Sequence, residues 1–132
     1  MAFTPLSIAA QLGNVQEVLT LIEAGADINA CNHTGWTPLS MAAGNGHDRV
    51  VKALIEAGVD IDKTDDIGWT PLLTATEHGH ETTVQILIEA GADINKASYN
   101  SGWTPLSIAT TKGCETILKM LIKAGAVQQP KQ

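Results

Sequence analysis

The apolar residues of this chain fall into short helical stretches that return at a fixed interval. In one of them Val50, Val51, Leu54 and Ile55 recur at helix spacing, which gives the segment one oily flank. A shorter apolar run, Leu39-Ser40-Met41-Ala42-Ala43, precedes it, and Gly46 separates the two. Thr37 stands where its hydroxyl can accept a backbone N–H at a helix start. Pro38 fits the first helical position, where a missing N–H costs nothing. The second helix is expected from about Asp48 to Ala57, with Gly58 placed to close it in a left-handed conformation. The polar run from Asp60 to Gly68 is turn-forming.

This unit recurs along the chain. Thr-Pro-Leu begins at Thr4, Thr37, Thr70 and Thr104, in steps of 33, 33 and 34 residues, and Ala-Gly begins at Ala24, Ala57, Ala90 and Ala124 with the same steps. Two independent markers in one register make an internal repeat. The single extra residue falls within Ser98-Tyr99-Asn100-Ser101. The reading is an all-α chain of four helix-turn-helix units, at about 2–31, 34–64, 67–97 and 101–130, forming one domain over 1–132.

A 33-residue period carrying Thr-Pro-Leu resembles the ankyrin repeat, and the likeness runs nearly the length of the chain. It implies an ankyrin-repeat solenoid: antiparallel helix pairs with β-hairpin loops projecting from their base, stacked into a curved array. One departure stands out. The histidine that follows Thr-Pro-Leu in that family is replaced by Ser7, Ser40, Leu73 and Ser107, of which the serines can keep part of its bonding and Leu73 cannot.

A single unit cannot bury its own apolar face, so neighbours must cover it. Ala42 and Ala43, Ala75 and Thr76, and Ala109 and Thr110 are small at matching places and allow first helices to approach closely. The first unit carries Glu17 and Thr20 where the others carry Val50 and Ala53, Thr83 and Ile86, and Ile117 and Met120, which is expected of an end facing water. At the other end Lys119 and Lys123 lie one turn apart, and Gln128 to Gln132 is expected to be a frayed tail, so that the four units form a whole array.

Composition narrows the function. A hydrophobic fraction of 44% suffices for a core, while 4% aromatic content suits close-packed helices better than a sandwich of strands. The net charge of −6 argues against nucleic acid and anionic membrane as partners. That charge is uneven: residues 1–100 hold 4 basic and 13 acidic side chains, and residues 101–132 hold 4 basic and 1 acidic. Cys31 and Cys114 match no disulfide framework and are expected as free thiols. With no secretory signal and no apolar run of membrane-spanning length, a cytoplasmic monomer is expected.

The chemistry-bearing clusters are better explained by the scaffold. Glu77-His78-Gly79-His80-Glu81 looks like a metal cluster, but its spacing matches no standard zinc pattern. By the resemblance, His47 and His80 hold a structural position at the start of the second helix. Asp60, Asp62, Asp65 and Asp66 lack the glycine and closing glutamate of a calcium loop. No phosphate-cradling loop and no nucleophile with a positioned base are apparent, so no cofactor and no catalysis are expected. A metal-dependent hydrolase around His78 and His80, and a purely structural spacer, are the alternatives to a binding module.

The binding reading has candidate residues. Phe3, Trp36, Trp69 and Trp103 each precede Thr-Pro. In the family that place faces the concave groove, so the rings would form a ladder with steps of about 10 Å. The resemblance also implies that a protein partner meets the hairpin tips and the ends of the first helices. Here those are His33, Thr34, Asp66, Ile67, Tyr99 and Asn100 on the tips, with Cys31, Thr64 and Ser101 beside them. On the first helices they are Asn45, Glu77, His78 and Lys112, with Gln11, Leu12, Gly44 and Thr111 at neighbouring or matching places. The family further implies that Asn29 and Asn95 are possible sites of asparagine hydroxylation.

Overall fold

The computed structural model describes residues 4–99 and 101–126. Among them are eight helices: α1 (Pro5–Leu12), α2 (Val15–Glu23), α3 (Pro38–Gly44), α4 (Asp48–Glu56), α5 (Pro71–Glu77), α6 (Glu81–Glu89), α7 (Pro105–Lys112) and α8 (Glu115–Lys123). No strand occurs among the described residues. Phe3, Asn100 and the expected tail Gln128 to Gln132 lie outside them.

The Thr-Pro dipeptides start the odd-numbered helices as the sequence suggests. In each, the threonine Oγ1 accepts the backbone N–H three residues on, at 3.1 Å for Thr4, Thr37, Thr70 and Thr104 alike. Such a cap is worth about 1 kcal/mol. The replaced histidine matters little to it, because the bond uses the backbone N–H of Ser7, Ser40, Leu73 and Ser107. Ser107 adds a return bond, its hydroxyl accepting from Thr104 N at 2.8 Å. Leu73 instead is fully buried.

The even-numbered helices start differently. Asn14 caps α2 through Glu17 N at 3.1 Å, whereas His47, His80 and Cys114 give their own helices no side-chain cap. The histidines reach backward instead. His47 Nε2 donates to Gln11 O and His80 Nε2 to Gly44 O, each at 2.9 Å. A carbonyl can only accept, so Nε2 carries the proton in both. Each bond satisfies an orphan carbonyl at the C-terminal end of the preceding unit's first helix and ties two units together. The imidazole of His80 also covers Gly46, whose φ is 70° and where a Cβ would fall 2.8 Å from Nδ1. Only glycine suits that place.

The helices form two layers. First helices pack in chain order, α1 on α3, α3 on α5 and α5 on α7, and second helices follow as α2, α4, α6 and α8. The core runs between the layers through Leu6, Leu39, Leu72 and Leu106 on one side and Val18, Val51, Leu54, Val84, Leu87 and Leu121 on the other. Ala42, Ala43, Ala75, Thr76 and Ala109 are fully buried, so small residues do sit where first helices meet. Thr110 is exposed, because among the described residues no helix covers that flank of α7. Ile8 mirrors it on α1: it is 46% exposed, while Met41, Thr74 and Ile108 at matching places are 3–4% exposed. Glu17 is likewise in water where Val50, Thr83 and Ile117 are buried.

Candidate functional site

The loops that carry the tryptophans are built on one acceptor side chain each. Asn32 Oδ1 takes the N–H groups of Thr34 and Trp36 at 2.9 and 3.0 Å. Asp65 Oδ1 takes those of Ile67 and Trp69 at 3.0 and 2.8 Å. Ser98 Oγ takes that of Trp103 at 3.0 Å. The same three residues donate their backbone N–H to the carbonyls of Trp36, Trp69 and Trp103 at 3.0, 3.0 and 2.8 Å. Each tryptophan is therefore held at both backbone groups, one residue ahead of a capped helix. In the first two loops a turn bond adds to these, Gly35 N to Asn32 O and Gly68 N to Asp65 O, each at 3.0 Å. Among the described residues no strand forms, so the expected β-hairpin is not seen as a ladder.

Neighbouring loops are also joined. Asp66 N donates to Thr34 O, and Tyr99 N to Ile67 O, both at 3.1 Å. The Tyr99 and Thr64 hydroxyls lie 2.9 Å apart. The Tyr99 ring presses on Gly68, where φ is 85° and a Cβ would sit 2.5 Å from the ring. Farther down, Asn29 Oδ1 accepts from Asp60 N and Asp62 Oδ1 from Asp93 N, at 2.9 and 3.0 Å. Three of the four aspartates in the acidic cluster thus serve as backbone acceptors: Asp60 serves Asp62 N, Asp62 serves the next unit and Asp65 holds its loop.

Trp36, Trp69 and Trp103 are each half-buried. Trp36 lies over its own first helix, with its Cζ3 3.7 Å from where a Cβ on Gly44 would be. Trp69 and Trp103 flank a slot of about 170 Å³, lined also by Ile108, Thr111, Glu77 and Lys112. Lys112 Nζ stands 3.8 Å from Glu77 Oε2 across the boundary between α5 and α7, both side chains about half exposed. Trp69, Trp103, Glu77 and Lys112, together with the neighbouring first-helix position Thr111, are thereby brought into one place. Ile108 was not among the candidates, and it is 3% exposed.

The remaining candidates are distributed along the same array. His33, Thr34 and Asp66 are exposed on the loops, as are Ile67 and Tyr99 at 58% and 60%. Asn45 is exposed at the end of α3 and donates from Nδ2 to Met41 O at 2.8 Å. His78 is exposed, and its Nδ1 meets Thr74 O at 2.9 Å. Its ring stacks on that of His80 with centroids 6.1 Å apart. One nitrogen of each ring is thus committed to a backbone carbonyl, and among the described residues no three His, Cys, Asp or Glu side chains converge as a metal site would require. Cys31 is exposed and Cys114 half-buried, both as free thiols. Among the described residues no helix is long and apolar enough to cross a membrane.

The arrangement suits recognition: two half-buried tryptophans, an aliphatic lining residue and one donor–acceptor pair stand on a scaffold of bonded loops. Comparison with known proteins bears on what that scaffold is. A search of curated proteins gave no match. The family model for ankyrin repeats, which spans three copies of the repeat, matches residues 2–65 and again residues 58–132. Together with the stacked helix pairs and their Thr-Pro caps, that match establishes that the chain belongs to the ankyrin-repeat family.

Proposed function

We propose that this chain is a non-catalytic module that binds a partner protein along its tryptophan-bearing, concave face. Ankyrin repeats are generally protein-interaction modules. The observation that carries the reading further is the half-buried state of Trp69 and Trp103 around an open slot. A tryptophan held by its backbone and left partly in water loses little conformational freedom on binding, which is why such residues anchor interfaces. Trp36, Trp69 and Trp103 would supply the central contacts. His33, Thr34, Asp66, Ile67, Tyr99 and Asn100 on the loops, and Asn45, Glu77, His78 and Lys112 on the first helices, would set the register. The four units at about 2–31, 34–64, 67–97 and 101–130 act in this reading as one rigid domain and as a monomer. The two free thiols support a reducing, cytoplasmic setting.

Affinity capture from the native cell, repeated with Trp36 and Trp69 both replaced by alanine, tests the proposal. A partner held by the parent and lost by the folded double variant supports it. An identical captured set from both proteins removes the tryptophan face from the account.

A further inference from the structure

The slot between Trp69 and Trp103 restricts what can enter it. Its volume of about 170 Å³ is close to that of an apolar cavity able to hold a benzene-sized guest. Two tryptophans and Ile108 supply most of its apolar lining, so an uncharged, apolar guest gains most. The rim carries Glu77 and Lys112 3.8 Å apart, one acceptor beside one donor and no net charge. An extended peptide presents the complementary pair, an N–H and a C=O, beside each side chain. A charged guest would meet one rim group of each sign and gain no net attraction to offset the loss of its hydration.

The slot also lies at the boundary that contains the extra residue. Ser98 and Trp103 are five residues apart in their loop bond, where Asn32 and Trp36, and Asp65 and Trp69, are four apart. The last tryptophan is therefore set by a longer loop than its predecessors. Trp36, by contrast, rests against Gly44.

We infer that this slot receives one large apolar side chain, of leucine, methionine or phenylalanine, from an extended segment of the partner, with Glu77 and Lys112 bonding the backbone on either side of it. The inference rests on the protein-binding reading above and names the chemistry of the partner that the reading leaves open.

Acetyl-Gly-X-Gly amides, with X leucine, methionine, phenylalanine, alanine, lysine or glutamate, are titrated into the full chain while the indole N–H resonances are followed by NMR. The three apolar peptides should shift Trp69 and Trp103 saturably, leave Trp36 unmoved, and bind about tenfold more tightly than the alanine peptide. Thr111→Phe, on the exposed surface of α7, should fill the slot and abolish the response without disturbing the core. Equal binding of the alanine and leucine peptides, tighter binding of the lysine peptide, or indifference to Thr111→Phe would each overturn the inference. Its failure is separable from that of the wider reading. A captured partner lost with Trp36 and Trp69, but a slot without apolar preference, sinks the slot alone. A selective slot with an unchanged captured set sinks the wider reading.

Discussion

Leu54 is fully buried in the middle of the array, with Leu87 and Leu121 in the same state one and two units on. Each is covered by its own first helix and by the unit beside it, so its loss leaves a cavity that no single unit can collapse around. Leu54→Ala should therefore cost about 2–5 kcal/mol, read from denaturant or thermal unfolding. Unfolding that coincides with the parent would remove Leu54 from the core. Leu73 teaches the complementary lesson. By side-chain chemistry its replacement of a histidine reads as a loss of bonding. The helix start is nevertheless intact, because Thr70 Oγ1 binds the backbone N–H of Leu73, which any residue other than proline provides.

At the scale of elements, the ties between units are unequal. His47 and His80 each fasten a second helix to the first helix of the preceding unit. Cys114 holds the matching place at the start of α8, and the space that a Cβ on Gly79 would occupy is open, with no ring over it. By register the matching acceptor is the Glu77 carbonyl. Cys114→His should supply the missing tie and raise stability by about 1 kcal/mol, seen as a higher denaturant midpoint. An unchanged or lowered midpoint would show that the histidine bonds add nothing net.

Much at this scale was legible beforehand. Thr-Pro, the apolar spacing and the Ala-Gly breaks located every helix, because caps and periodicity are local signals. The loop acceptors Asn32, Asp65 and Ser98 were not read, since three different residue types share one role and only the backbone geometry unites them. The slot was half read: the tryptophans stood out by type, but Ile108 could not, since burial depends on which unit leans on which.

For the whole molecule, stability should fall from the middle outward. In α4, Val50, Val51, Ala53 and Leu54 are buried, whereas in α2 only Val18 is, and in α8 only Ile117 and Leu121. An array held by neighbour contacts opens first where a neighbour is lacking. Amide hydrogen exchange should therefore be slowest in α3 to α6 and faster in both α1–α2 and α7–α8. Uniform protection across all four pairs would contradict a nearest-neighbour stack.

The three tryptophans are half-buried and stand outside the contiguous apolar core, so the proposed binding role can be tested apart from folding. Trp69→Ala is the most direct probe of that separation, with affinity for the captured partner measured by calorimetry and folding by thermal melting. The account predicts a loss of about 2 kcal/mol or more, some thirtyfold in Kd, with the melting transition retained. Unchanged affinity in a folded Trp69→Ala protein would contradict it.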